Sequence, residues 1–160
     1  MLATRRFAVT LAVIALLAAP MLASAQLVDK KALTLEAAKR VAAAAEAEAK
    51  KINVAEVIAI VDEGGHLLYL QRMDEAQTGS VRIAIEKARS AAAFKRPTKV
   101  WSDGLAAGRQ AVLGVHGAVP LEGGIPLMAG GKIIGAIGVS GGTSPQDEQV
   151  AKAGADTLPK

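Results

Sequence analysis

The sequence contains no cysteine and very few aromatic residues: two Phe, one Trp and one Tyr in 160 residues. Without cysteine the protein has no disulfide, no thiolate nucleophile, no iron–sulfur cluster, no covalently attached c-type haem and no cysteine zinc site. The chain therefore has to be stable through packing alone. A flat apolar ligand would meet few aromatic side chains, so we expect weak binding of such a ligand.

Several functional motifs are also missing. No G-x-G-x-x-G or G-K-[ST] motif supports nucleotide binding, and no metal-ligand spacing links His66 with His116. Residues 138–142 match G-x-S-x-G, but no histidine follows Ser140, as the order of a hydrolase triad requires. We interpret the glycines of this motif as small residues that let a strand and the next helix approach closely, and the Gly pairs as turns.

The first 25 residues have the three parts of an export signal. Arg5 and Arg6 precede an apolar run to residue 22, and Ala23-Ser24-Ala25 forms a cleavage site before Gln26. The alternative is a membrane anchor, but a run of about 16 residues is short against the roughly 20 that a spanning helix needs. We therefore predict a signal peptide at 1–25, one domain at 26–160, no stable membrane insertion, and a periplasmic or secreted location.

The charge balance gives no support for nucleic-acid binding. Nineteen Lys and Arg oppose 15 Asp and Glu, a net charge of +4, which falls to +2 (17 against 15) without Arg5 and Arg6. A nucleic-acid partner needs a stronger basic footprint. One segment is locally basic, and we interpret it as a solvated face or, alternatively, as an attractor of an anionic ligand such as a tetrapyrrole or a small acid. Its cations are Arg82, Lys87, Arg89, Lys95, Arg96 and Lys99.

Apolar periodicity predicts the order helix, hairpin, helices, hairpin, helix. The helices are expected at 34–51, with Thr34 as N-cap, at 80–94, within 98–109, and from 144 to about 156, with Ser144 as N-cap. The hairpins are expected at 56–62 with 66–72 and at 124–128 with 132–140, and Pro126 places its run at a sheet edge or a bulge. Hairpins joined by helices predict an α+β fold with an antiparallel sheet.

In this order the segments resemble the GlcG/HbpS family of haem-binding or haem-degrading proteins, related to the C-terminal domain of a cobalamin adenosyltransferase. No single motif is specific, but their order and spacing are. The matching segments are 57–62, 64–67, 71–74 with Ala76, 87–88, 91–92 with Phe94, 97–98, 123–127, 131–141 and 147–148.

The resemblance implies a sheet of about five antiparallel strands flanked by helices in three α/β/α layers, and a homo-oligomer. It implies haem as the cofactor and, in exported members, a sensor kinase as partner. The setting of Pro97-Thr98 resembles that of a threonine implicated in haem coordination in one branch. The acidic D/E-x-x-E iron motif of that branch is absent from residues 26–160, which leaves no motif for iron storage or redox sensing.

Our first functional hypothesis is a haem-binding protein. A non-covalent haem needs an apolar slot, an axial donor and cations for its propionates. Thr98, His116 or Tyr69 could supply the donor, and Arg96 and Lys99 could lie near the carboxylates. The slot itself would be flanked by Phe94, Tyr69 and Trp101.

The second hypothesis is an enzyme or accessory subunit that acts on a small organic acid. Asp62, Arg72 and His116 would be its polar groups, with Gly loops forming a site between subunits. Their spacing fixes no reaction, so no catalytic residue and no metal ligand is predicted. A third hypothesis is a structural or signalling protein that functions through its assembled surface.

Overall fold

The computed structural model describes residues 27, 28 and 30–159, so the predicted signal peptide lies outside the described residues. From residue 31 onward the chain forms a single unit. None of the helices in the described part is long and apolar enough to cross a membrane.

The order of elements predicted from periodicity is confirmed. In the described part of the chain, four helices and two two-stranded hairpins follow one another as expected, with one additional 3-10 helix after the third helix. The elements are α1 (Leu35–Lys51), β1 (Val57–Asp62), β2 (Leu67–Arg72), α2 (Ser80–Phe94), α3 (Lys99–Ala106), the 3-10 helix (Gln110–Gly114), β3 (Gly124–Ala129), β4 (Lys132–Ser140) and α4 (Ser144–Ala155).

The sheet is antiparallel with the order β2-β1-β4-β3. The α+β class is thereby confirmed. The prediction of about five strands is not confirmed, because the described residues form four strands. Pro126 does lie on an edge strand, where its missing N–H interrupts no central ladder, and the register shifts between Leu127 and Met128.

Alternate residues of β1 pack against different helices, as the two-residue period of a strand requires. Ile58 and Ile60 belong to the cluster that contains the buried alanines of α1 and Val150 of α4. Val57 and Val61 belong to the clusters formed with the alanines of α2. The small α2 side chains bring that helix close to the sheet.

The closest approach of α2 to the sheet is at Gly138 in β4. A Cβ atom there would overlap the Ala84 carbonyl oxygen and lie 2.5 Å from the Ala88 nitrogen. The interpretation of the G-x-S-x-G glycines as close-packing residues is thus confirmed at Gly138. The predicted partner of this strand was wrong, because the helix that packs against Gly138 is the preceding α2 and not the following α4.

Threonines cap the starts of α1 and α4. Thr34 Oγ1 accepts a hydrogen bond from Ala37 N–H at 3.2 Å, as predicted. In α4 the N-cap is Thr143 instead of Ser144. Its N–H donates to Gln146 Oε1 at 3.0 Å, so the glutamine three residues on completes a capping box and sets the helix start one residue earlier.

Candidate functional site

Phe94, Arg96 and Trp101 meet where α2 ends and α3 begins, and we call these three residues the aromatic corner. The ring centroids of Phe94 and Trp101 are 5.0 Å apart with an interplanar angle of 78°, the favourable edge-to-face arrangement. Arg96 Cζ lies 5.3 Å from the Trp101 centroid, and Arg96 Nε donates to the Phe94 carbonyl oxygen at 3.1 Å. The corner therefore joins apolar rings to a positioned cation.

Thr98 ties the aromatic corner to the sheet. It is fully buried, its N–H donates to the Gly124 carbonyl oxygen at 2.9 Å, and its Oγ1 accepts from Gly124 N–H at 2.9 Å. The hydroxyl group thus points at the backbone of β3 and not at solvent. The structure gives Thr98 a positioning contact, and its predicted role as an axial donor stays a prediction.

His116 lies in an exposed loop beside the corner. Ala118 N–H donates to the Val115 carbonyl oxygen at 3.0 Å, and Val119 N–H donates to Ser90 Oγ on α2 at 3.2 Å. A Cβ atom on Gly117 would lie 3.8 Å from the Phe94 ring. The loop is therefore anchored so that Gly117, the residue after His116 in the sequence, faces the Phe94 ring.

The other two predicted site residues, Lys99 and Tyr69, lie at different distances from the corner. Lys99 follows Thr98 and is near the corner, but its Nζ donates to Asp103 Oδ1 at 2.8 Å and to Glu122 Oε1 at 3.3 Å, and these bonds raise the Lys99 pKa. Tyr69 lies elsewhere. It packs with the α1 core cluster, on the face of the sheet away from α2, and its hydroxyl donates to Gln71 Oε1 at 3.2 Å.

The polar groups of the organic-acid hypothesis serve local turns instead of a shared site. Asp62 Oδ1 accepts from Gly64 N–H at 2.8 Å and from His66 N–H at 2.9 Å, which closes the first hairpin. Arg72 Nε donates to the Ala76 carbonyl oxygen at 2.9 Å. These contacts account for both side chains without a ligand.

The aromatic corner contains one unsatisfied donor. Trp101 Nε1 is buried and has no hydrogen-bond partner in the part of the chain that the structure describes. A buried N–H without an acceptor costs about 1 to 3 kcal/mol, so such groups usually meet an acceptor from a ligand or a water molecule. Together with the exposed His116 and the Arg96 guanidinium, this donor suits a flat, anionic ligand that carries a metal.

The sequence analysis did not identify a buried cluster of three ionisable side chains, Glu56, Lys87 and Asp147. Lys87 Nζ donates to Asp147 Oδ2 at 2.5 Å and to the Val139 carbonyl oxygen at 2.9 Å. The two side chains are only 2% and 5% exposed. The ion pair therefore links α2, β4 and α4 inside the domain.

The Gly142 backbone completes this cluster. Its N–H lies 3.0 Å from Asp147 Oδ1 and 3.2 Å from Glu56 Oε2. Burial, together with the negative charge of Asp147, raises the pKa of Glu56 to about 8. Burial also raises the pKa of Asp147, opposed by the Lys87 ammonium group. At neutral pH we therefore assign a neutral Glu56 beside the Lys87–Asp147 pair.

Lys87 corrects part of the interpretation of the basic segment. We counted it among the cations of a solvated or ligand-attracting face, but it is buried against Asp147. Its position carried a signal, because it falls three residues after Ala84 and four before Ala91, on the apolar stripe of α2. A lysine on a buried stripe requires a buried acid, and Asp147 in the first turn of α4 provides it.

Comparison with known proteins places the chain in one family. Residues 33–156 match the family described as haem-degrading protein HbpS-like. GlcG of Escherichia coli is 45% identical over 111 residues, which cover 69% of this chain and 83% of GlcG.

Two solved structures are similar as well. A double mutant of Streptomyces reticuli HbpS aligns with a TM-score of 0.76 and 36% identity, covering 89% of this chain and 99% of that one. A PduOC–haem complex aligns with a TM-score of 0.68 and 30% identity, covering 79% of this chain and 94% of that one.

Proposed function

The chain belongs to the family of HbpS-like haem-degrading proteins, and from this membership we propose that it binds haem at the aromatic corner. The observation that carries the proposal is the edge-to-face Phe94–Trp101 pair with Arg96 over the indole and an unpartnered Trp101 Nε1. The haem complex of PduOC, a protein with the same fold, supports the choice of ligand.

Each residue of the site has a separate role in this proposal. His116 is the side chain that donates to the iron, because it is exposed and its loop is anchored beside Phe94. Arg96 pairs with a propionate. Lys99 attracts the propionates more weakly, because its ion pairs with Asp103 and Glu122 neutralise its positive charge. Thr98 holds the corner against β3. Bound haem would supply the redox-active iron, and the chain supplies orientation and charge.

We expect micromolar affinity because the apolar wall is small. Of the described residues, only Phe94 and Trp101 offer aromatic surface at the corner, and the Thr98 hydroxyl is turned into the protein. The ligand would therefore remain partly exposed to water. Tight haem pockets bury far more of their ligand.

A haemin titration of the purified protein, followed at the Soret band, tests the proposal. We expect a saturable shift that His116→Ala weakens at least tenfold. His66→Ala is the matched control, because His66 is exposed on the first hairpin and interacts with Asp62. A Soret spectrum that stays identical to that of free haemin would overturn the proposal, and equal weakening by both variants would remove the role of His116.

The wider setting is part of the same proposal. We propose export by residues 1–25, a periplasmic or secreted location, a homo-oligomer, a role in haem handling or sensing with a sensor kinase as partner, and three α/β/α layers. The basic, apolar and A-x-A pattern supports export, and the packing of alternate β1 residues against different helices supports the layers. Mass spectrometry of the protein recovered from cells and medium together should find Gln26 at its N-terminus. An intact Met1 would contradict export.

A further inference from the structure

A groove of about 450 Å³ runs between the start of β2 and the exposed side of α2, apart from the aromatic corner. Its size lies within the range of small-molecule sites, roughly 300 to 1,000 Å³. Apolar side chains form part of its lining, and Leu67 among them is 46% exposed. The lining residues used below are Leu67, Val81, Ile85, Arg82, Glu86 and Arg89.

The two arginines of the groove differ in their contacts. Arg89 is engaged, since Nη1 lies 3.1 Å from Glu86 Oε1 and Nε donates to the Gly65 carbonyl oxygen at 3.2 Å. Arg82 is exposed and has no ion-pair partner among the residues that the structure describes. Glu86 offsets Arg89, so the groove keeps one unneutralised cation beside its apolar surface.

We propose that this groove binds a small amphipathic monocarboxylate, with its carboxylate on Arg82 and its apolar body on Leu67, Val81 and Ile85. The planar guanidinium group matches a carboxylate in a two-point hydrogen bond. A single free cation favours a monoanion over a dianion such as a phosphate ester.

The groove is distinct from the proposed haem site because its lining offers the iron no strong donor. Among the described residues, no imidazole, thioether or phenol group lines it. The exposed apolar surface at Leu67 is explained by a ligand that covers it, since burial of such surface is the main gain of binding.

Decanoate is a suitable probe, measured by isothermal titration calorimetry on the purified protein. We expect one saturable site, at least tenfold weaker in Arg82→Gln and lost in Leu67→Asp. Arg40→Gln is the matched control, because Arg40 is an exposed helical arginine on α1. Decanol, which lacks the charge, should bind at least tenfold more weakly than decanoate.

The outcomes separate this proposal from the haem proposal. Unchanged decanoate affinity in Arg82→Gln, or no decanoate binding, overturns the groove site and leaves haem binding untouched. Displacement of haemin by decanoate, or a weakened Soret shift in Arg82→Gln, would also overturn it, since the groove would then be the haem site. Independent binding of decanoate and haemin supports two sites.

Discussion

Glu56 connects the chemistry of a single residue to the stability of the domain. Its pKa is raised from the ordinary 4.5 to about 8, so the folded state keeps a proton that the unfolded state releases near pH 4.5. The folded state binds more protons in this window, and stability therefore falls as pH rises from about 4.5 to about 8, by at most roughly 1.4 kcal/mol per pH unit.

The variant Glu56→Gln should remove this part of the pH dependence. The amide stays neutral and can still accept from Gly142 N–H, so the variant should gain stability relative to the wild type with each step from pH 5 to pH 8. Urea unfolding across this range measures the difference. Glu36→Gln, at an exposed ion pair with Arg40, should follow the wild-type curve. Parallel curves for wild type and Glu56→Gln would contradict the raised pKa.

Lys87 and Lys50 test burial against exposure for the same residue type. Lys87→Met leaves Asp147 buried without its partner and should cost about 3 to 5 kcal/mol of unfolding free energy. Lys50 pairs with Glu46 at 2.8 Å on the surface, so Lys50→Met should change stability by about 0.5 kcal/mol or less. Denaturant unfolding of both variants measures the two free energies of unfolding. Equal losses would show that the buried pair contributes no more to stability than the exposed pair.

The contacts of a single residue were predictable from the sequence only where neighbouring residues in the sequence determine them. Thr34 was identified as a cap because capping depends on the next few residues. The burial of Lys87 and Thr98 depends on Asp147 and Gly124, which are far away in sequence, and no local pattern reports such contacts. For the same reason Tyr69 was grouped with residues from which the sheet separates it.

At the scale of elements, the close approach of α2 to β4 gives a sharp prediction. Gly138→Ala should destabilise the domain by several kcal/mol, because the new Cβ atom would overlap the Ala84 backbone and neither element can yield easily. Gly79→Ala is the matched control, since a Cβ atom there would meet no atom of the described residues within 4 Å. Thermal unfolding compares the two, and a Tm for Gly138→Ala equal to that of the control would contradict the packing.

Helices and hairpins were predictable because their apolar periodicity, caps and turns depend on residues that are close together in the sequence. The helix Ser80–Phe94 and the strand Lys132–Ser140 begin and end where their apolar patterns do. The number of strands was less accessible. The expected fifth strand came from the resemblance alone, and no segment of the sequence was assigned to it. The helix expected within 98–109 is present as α3, Lys99–Ala106.

At the scale of the whole molecule, the sequence identified much of the candidate site but not its geometry. Arg96, Thr98 and Lys99 were singled out together, and the turn after α2 does bring Arg96 over Trp101. The groove beside α2 was not foreseen, because Val81 and Ile85 match the helical core pattern and are only half-buried in the fold. Exposure of an apolar position is decided by what packs against it.

The location of haem is the central claim, and the single tryptophan offers a direct test of it. In a nitrogen-15 NMR spectrum of the labelled protein, Trp101 gives the only indole N–H signal. We predict that paramagnetic ferric haemin broadens this signal beyond detection, that diamagnetic zinc protoporphyrin shifts it, and that the backbone signals of Val81 and Ile85 persist. An indole signal that survives haemin while the groove signals vanish would contradict the account.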